Sequence, residues 1–398
     1  MEELDQFRSD VRSWLEQNCP ESQREPMTPD QQYWGGRRGT FPSDDARLWF
    51  ERMRDRGWIA PEWPEEYGGG GLSPQQAKIV AEEMKRINAR KPLLGLGLWM
   101  LGPALLEYGN EEQKQQHLRA IVNGELRWCQ GYSEPGSGSD LASLQCKAED
   151  MGDHFLVNGS KIWTTRADEC DWIFCLVRTD PDAKKQEGIS FLLIDMDDPG
   201  FSTSPLALIS GESEFCQTFF DNVKVPKENL VGELNKGWSV AKALLVHERK
   251  LMSEIGSDSP RQILTPNEAA RQYLEFKDGK IADAELRGRI TDYDMRMQAV
   301  ALTHFRTFEE KINAIRSPAP MIMKYVGTEA EKTKSELLLA ILGSRGVGWE
   351  GEGFTEAELD TTRLWAMSYA MTIAGGTSEV QLNVVAKNVL ELPQQKES

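Results

Sequence analysis

Through the first third of the chain, apolar residues recur every three to four positions. They do so in DQFRSDVRSWLEQ, SDDARLWFERMRDRGW, SPQQAKIVAEEMKRINA and NEEQKQQHLRAIV, the spacing that lines one face of a helix. Stretches rich in Pro and Gly interrupt them: EPMTPD, YWGGRRGTFPSD and PEWPEEYGGGGLSP. Residues 1–124 are therefore expected to form a helical domain. The loop YWGGRRGTF carries two aromatics and two arginines. It could border a binding mouth, and a plain surface loop is the simpler reading.

The period changes over residues 125–232. HFLVNGSKIW reads as two short β-prone runs joined by Asn158-Gly159, a strong hairpin signal. DWIFCLVR, GISFLLIDM and EFCQTFFDNVKV predict further strands of one β domain. Over residues 233–398 the helical period returns in longer segments. KGWSVAKALLVHERKLMSEIG is one and DAELRGRITDYDMRMQAVALTHFRTFEEKINAI another; further helices are predicted over 320–342 and 358–373, with a last one after Gly376. Packed side by side, these would make a helical bundle. No internal repeat interrupts the pattern, and the closing PQQKES is expected to fray.

Composition narrows the class of partner. A length of 398 residues exceeds one hydrophobic core and suits two or three domains. A formal net charge of −17 argues against nucleic acid or an anionic membrane surface as the main partner. No apolar run approaches the roughly 20 residues needed to span a bilayer. The N-terminus is acidic and amphipathic, unlike a signal peptide. Six scattered cysteines, with no C-x-x-C, are expected to be free thiols in a reducing cytoplasm. The four histidines lie far apart in sequence, against a His-rich metal site, and no metal is expected.

Four strings carry the chemistry. WCQGYSEPGSGSD (128–140) is a loop of hydroxyls and small residues that lets backbone approach a ligand closely. NGSKIWTT (158–165) is a strand ending in Trp163, Thr164 and Thr165. FFDNVKVPKENLVGELNKGW follows, and then MTIAGGTSEVQ, where Thr377, Ser378 and Glu379 signal a helix start able to hold a phosphate. In this order the set resembles the acyl-CoA dehydrogenase family across essentially the whole chain. KGWSVAKALLVHER and GGTSEVQ resemble its bacterial branch of pimeloyl-CoA and steroid side-chain dehydrogenases.

The resemblance implies an α+β architecture: an N-terminal helical domain (1–124), a middle β-barrel (125–232) and a C-terminal four-helix bundle (233–398). It implies FAD between the last two domains and across a subunit contact, in a homotetramer or heterotetramer, a dimer also being compatible. Members remove the α-proton of an acyl-CoA thioester with a carboxylate, and hydride leaves Cβ for the flavin. Electrons then pass to an electron-transfer flavoprotein. Carried over by motif position, the backbone of Gln130, Tyr132 and Ser133 would lie along the flavin ring. Trp163 would pack on it, with Thr164 and Thr165 at its edge. Gly138 and Ser139 would sit by the flavin phosphates, and Ser139 and Asp140 by the thioester arm. Gly343, Thr377 and Glu379 would belong to the adenylate region.

Many members carry the base just before the Gly-Thr of the last motif, where this chain has Gly375. A second family position, on the first long C-terminal helix before an arginine, matches Glu248 in Val246-His247-Glu248-Arg249. Helical spacing supports that match independently. Ala241, Leu244, Leu245, Leu251, Met252 and Ile255 stand three, four or seven residues from Glu248. A carboxylate on an apolar stripe should have a raised pKa, as suits a base for a carbon acid. The N–H of Gly375 remains available to the thioester oxygen. Ala374 and Gly375 suggest room for a long, branched or ring-bearing acyl group. Ala340 and Ser344 depart from the family pattern and put the usual adenylate contacts in doubt. Two alternatives stand beside a dehydrogenase: a weakly active or non-catalytic subunit of a mixed tetramer, and an oxidase or flavin monooxygenase on the same scaffold.

Overall fold

The computed structural model describes residues 2–211, 213–254, 264–313, 315 and 317–393, without the side chains of 2, 246–254, 311 and 312. The chain divides into two compact units. One comprises residues 1–206 and 213–251, the other 207–212 and 252–398.

The first unit opens with α1 (Glu2–Asn18), α2 (Asp44–Asp55) and α3 (Pro74–Arg86). Val11 and Leu15 on α1, Trp49 and Met53 on α2, and Ile79 and Val80 on α3 meet in one buried cluster. Glu83 of α3 is also buried, and three arginines surround it: Arg12 bidentate at 2.9 Å, Arg86 at 2.7 Å and Arg8 at 3.2 Å. The Arg12 hydrogen bonds, foremost among these, hold its carboxyl down to about 2. Next come α4 (Gly102–Tyr108), α5 (Glu111–Gln113) and α6 (Arg119–Val122), with π-helical turns at Gly97–Leu101 and Lys114–Leu118.

The aromatic, arginine-rich loop at 33–41 is a surface loop, exposed at 37–40 and anchored at its base. Tyr33 is buried against Phe41, with ring centroids 3.9 Å apart. The Arg37 N–H donates to the buried Asp171 carboxylate at 3.0 Å, which also accepts from the Arg127 N–H at 2.8 Å. Gly35 has φ +69°, and a Cβ there would fall 2.8 Å from the Gly124 carbonyl oxygen, so glycine is required.

Eight strands form one sheet: β1 (Trp128–Gly131), β2 (Lys147–Asp150), β3 (His154–Thr165), β4 (Trp172–Arg178), β5 (Ile189–Asp195), β6 (Phe201–Leu206), β7 (Phe215–Pro226) and β8 (Leu230–Val231). Their order is β6-β7-β3-β2-β4-β5-β8, with β1 added parallel to β4. The hairpin expected at Asn158-Gly159 is absent. β3 runs straight through it, paired with β7 from His154↔Pro226 to Thr165↔Phe215, with a register shift between Val157 and Gly159. Gly159 serves close packing there, since a Cβ would meet Cys146 Cα at 2.8 Å. Asn158 accepts from the Asn222 N–H at 2.9 Å across the ladder instead of closing a turn. A long partner strand has overridden a local turn signal.

Where the helices meet the sheet, His117 is fully buried between Trp128 and Trp172, at centroid distances of 5.2 and 5.0 Å. Neither ring nitrogen finds a hydrogen-bond partner among the described residues. Burial pushes its pKa down to about 4. The folded-state pKa lies below the unfolded one, so the unfolded chain takes up the proton first. Stability is then complete above about pH 6.5 and falls by roughly 3 kcal/mol as pH drops toward 4. Urea midpoints measured between pH 7 and 4.5 should show this slope, and His117→Phe should flatten it. Equal slopes in both proteins would show that His117 titrates alike in the folded and unfolded chain.

α7 (Gly237–Glu254) closes the first unit, with Val240, Ala241 and Leu244 buried in the same core as Trp128, Phe174 and Phe191. The second unit contains α8 (Pro266–Tyr273), the small ladder β9 (Phe276–Lys277) and β10 (Lys280–Ile281), α9 (Ala284–Ile312), α10 (Pro320–Leu342), α11 (Glu356–Met371) and α12 (Ser378–Asn388). α10 is central and touches α8, α9, α11 and α12. Its Leu337, Leu338, Ile341 and Leu342 pack on Ala269, Ala270, Ile290 and Tyr293. A row on α9 stays exposed: Met295, Leu302, Phe305 and Phe308, each more than half accessible. Among the described residues no helix is long and apolar enough to cross a membrane. All six cysteines are free and buried.

Candidate functional site

In the first unit, β1 delivers Gln130 and Gly131 into the loop Tyr132–Asp140. The backbones of Glu134 and Ser137 bond each other both ways at 3.0 Å, which turns Pro135 and Gly136 outward. Nothing lies within 4 Å of the Cβ positions of Gly136 and Gly138, so the outer face of the loop is open. Its inner face is held by charge. Glu134 accepts from the Gln145 N–H at 2.6 Å, the Cys146 N–H at 2.8 Å and the Lys161 ammonium at 2.8 Å. Lys161 has no solvent exposure, and its Nζ also donates to the Tyr132 carbonyl at 3.2 Å. The Ile162 N–H donates to the Ser133 carbonyl at 2.8 Å. The loop and β3 are thereby bound side by side.

Arg178 secures the loop's far end. Its buried guanidinium donates to the carbonyls of Ala142 (2.6 Å), Leu144 (3.3 Å) and Lys185 (2.7 Å), and burial lowers its pKa. Ser137 Oγ donates to the Asp140 carbonyl at 2.8 Å. Asp140 itself pairs with Lys185 at 2.6 Å on the surface, and Ser139 is exposed beside it.

Two residues past Lys161, β3 changes face. A register shift falls between Lys161 and Thr164, and Trp163 within it has φ +61°. Trp163 is 55% exposed, set edge-on to Phe215 at 6.1 Å, whereas Lys161 and Thr164 on either side are fully buried. The bulge thus presents a bare indole next to the Ser133 backbone, with the partly buried Thr165 following. An apolar face of this size beside open glycines and backbone suits a large planar ring, and the residues present fit a flavin.

Glu248 lies on α7 four residues after Leu244 and seven after Ala241, both buried. Its side chain is outside the described residues.

In the second unit, α11 ends at Met371, and the chain turns through Gly375 (φ +64°) and Gly376 (φ +94°). Thr377 caps α12 by accepting from the Val380 N–H at 3.2 Å. Ser378 N–H donates to the Thr372 carbonyl at 3.0 Å, and Ser378 Oγ to Glu329 at 2.6 Å. Glu379 is held below the usual carboxylate range, first by its own backbone N–H and then by the Thr377 hydroxyl. The Ser378 and Val380 amides of this helix start therefore already have partners within the chain. Lys324 of α10 donates to the carbonyls of Gly376 at 2.7 Å and Thr372 at 3.4 Å. Gln381 Nε2 donates to the Gly375 carbonyl at 3.3 Å. The Gly375 N–H has no acceptor among the described residues, and Ala374 beside it is exposed.

Gly343 is not brought to this turn. It ends α10 with φ +56°, and the helix from Lys324 to Gly343 spans roughly 28 Å at about 1.5 Å per residue. Arg345, two residues further on, is engaged by the buried Glu358 at 2.8 Å and the Gly353 carbonyl at 2.7 Å. Glu134, Lys161, Arg178 and Lys324 escaped the reading of the sequence. One signal could have found Lys161: it alternates with Phe155 and Val157 on the inward face of β3, where a charge needs a buried partner.

Comparison with known proteins agrees along the chain. The family model for the acyl-CoA dehydrogenase N-terminal domain matches residues 1–125, that for the middle domain 129–223 and that for the C-terminal domain 235–390. Over 397 residues the chain is 32% identical to the acyl-CoA dehydrogenase IpdE1 of Mycobacterium tuberculosis, covering 99% of each. It superimposes on the Tcur3481-Tcur3483 steroid ACAD with a TM-score of 0.74 at 29% identity, covering 99% of each chain. The ChsE4-ChsE5 complex from Mycobacterium tuberculosis follows with a TM-score of 0.71 at 27% identity, covering 99% of this chain and 98% of that one. Matched in all three domains and over its full length, the chain belongs to the acyl-CoA dehydrogenase family, whose members are FAD-binding oxidoreductases acting on acyl-CoA.

Proposed function

We propose that this protein removes the α and β hydrogens of an acyl-CoA thioester to give the trans-2-enoyl-CoA, with Glu248 as the α-proton base. The observation that carries the assignment is the turn at 375. Where many relatives place a carboxylate, this chain has a left-handed glycine that offers only a free N–H. Glu248 matches the second position at which the family carries its base and continues the stripe of Ala241 and Leu244 on α7. The Gly375 N–H receives the thioester oxygen and stabilises the charge that grows there as the α-proton departs. Trp163, Thr165 and the backbone of Gln130–Ser133 hold the flavin ring, and Ser139 and Asp140 border the thioester arm. FAD held there would supply the acceptor for the β-hydrogen as hydride, and an electron-transfer flavoprotein would take the electrons onward.

Ala374 and Gly375 leave space for a bulky acyl group, and the likeness to a steroid ACAD supports a ring-bearing one. The C-terminal helices are read as a four-helix bundle that assembles with others. The exposed row on α9 supports a tetramer. So does Gly343, which lies too far along α10 to serve the same cofactor as Gly376 and would serve a neighbouring subunit's. A second reading, a subunit active only with a different sister chain, is favoured by the likeness to the two-component ChsE4-ChsE5 complex.

One experiment separates these readings. The purified protein is mixed anaerobically with a panel of acyl-CoA thioesters while the flavin absorbance is followed. Bleaching by a ring-bearing or branched acyl-CoA is the expected result, and peroxide formation in air would make it an oxidase. A colourless protein that gains FAD only with a second chain would establish the mixed assembly.

A further inference from the structure

We infer that Lys324 is the positioning residue of the thioester-oxygen site, holding the Gly375–Gly376 turn in the shape that leaves the Gly375 N–H without an internal acceptor among the described residues. The inference rests on the reading that this N–H binds the thioester oxygen. Two consecutive glycines have no local preference for the left-handed region they occupy here, at φ +64° and +94°. Something outside the turn must choose it. The Gly376 carbonyl is taken by the Lys324 ammonium at 2.7 Å, and the same group reaches the Thr372 carbonyl at 3.4 Å. Thr372 caps α11, so its carbonyl sits at the negative end of that helix, where a cation is favoured. One cation therefore ties the residue before the turn to the residue that ends it.

The remaining contacts are neutral or peripheral: Gln381 Nε2 on the Gly375 carbonyl at 3.3 Å, and the Ser378 N–H on the Thr372 carbonyl at 3.0 Å. Lys324 is partly buried on α10, the central helix of its unit, so its stem is fixed by packing while its head reaches the turn. Glu329, five residues along the same helix, holds Ser378 Oγ at 2.6 Å and anchors the other flank. With two carbonyls and one hydroxyl gripped from α10, the amides of Gly375, Gly376 and Thr377 are left without an acceptor among the described residues, and Gly375 is the one assigned to the thioester oxygen. Loss of the cation frees the glycines to rotate, and the N–H then points at the reacting oxygen in only a fraction of molecules.

The test compares holoenzymes of wild type, Lys324→Met and Lys324→Arg. Three quantities are read: the flavin reduction rate at saturating acyl-CoA, the acyl-CoA concentration for half-saturation, and the deuterium-exchange protection of the Ser378 amide. Lys324→Met should lose about 10- to 100-fold in the saturating rate. Half-saturation should change less than about threefold, and Ser378 should exchange faster. Lys324→Arg, whose fork can reach both carbonyls, should recover most of the rate. Unchanged Ser378 protection in Lys324→Met overturns the inference whatever the activity. A full saturating rate, or a loss confined to half-saturation, also overturns it. If no acyl-CoA bleaches the wild type, the functional reading fails and takes the positioning role of Lys324 with it.

Discussion

Purified Glu248→Gln protein is expected to keep its FAD and to lose about 10²- to 10⁴-fold in the rate of flavin reduction by acyl-CoA. The substitution keeps shape and removes the one property the reaction needs, a carboxylate able to take a proton from carbon. Binding should persist, because the residues proposed to face the flavin lie elsewhere, on β1, β3 and the loop that follows β1. A second substitution sharpens the result. Placing glutamate at 375 in the Glu248→Gln background restores a carboxylate at the position many relatives use. Residue 375 has φ +64°, a conformation that costs a non-glycine residue roughly 1–2 kcal/mol. The double variant should therefore remain slow. Rapid bleaching by Glu248→Gln alone would remove Glu248 from the role, and recovery in the double variant would show the turn to be more adaptable than its geometry implies.

Lys161→Met should destabilise the protein by about 3–5 kcal/mol, the usual effect of stranding a buried charge. Glu134 is 8% exposed and faces an ammonium group with no exposure at all. Removing that ammonium leaves a carboxylate supported only by the N–H groups of Gln145 and Cys146. Replacing both charges, as Lys161→Met with Glu134→Leu, should recover part of the loss. It does not recover all of it, because those two N–H groups then lack an acceptor. Urea unfolding at pH 7 measures the cycle. FAD retention should fall in step, since the same pair fixes the Tyr132 and Ser133 backbone against β3. A single variant within about 1 kcal/mol of wild type would mean that water reaches the pair, contrary to its burial.

The sequence disclosed elements whose causes are local. α10 lies where apolar spacing predicts it, at Pro320–Leu342, and Thr377 caps α12 as the Thr-Ser-Glu signal requires. It misled where a distant partner decided the outcome. Asn158-Gly159 is a turn signal in isolation, but the full-length pairing of β3 with β7 absorbs it into a bulge. YWGGRRGTF is the surface loop it reads as, with residues 37–40 exposed, but its anchor Asp171 stands more than a hundred residues away and is not legible from the loop itself. The site divides in the same manner. Trp163 and Ser133 stand out as parts of strings. Their support by Glu134, Lys161 and Arg178 depends on which buried carbonyls and amides happen to converge, and no spacing along the chain reports that. Lys324 is subtler still, because its partners are backbone atoms of residues 48 and 52 positions onward.

The paired left-handed glycines also bear on how such a site changes over generations. A carboxylate can leave position 375 in one step, since glycine tolerates any backbone the turn adopts. Once the turn has settled into positive φ at two successive residues, gripped by a lysine from another helix, the step is hard to retrace. A returning glutamate meets a backbone that no longer suits it, and the gripping contacts must change as well. The proposed place of the base on α7 is then reinforced by the conformation of a turn between two other helices, whatever the rate each position would give.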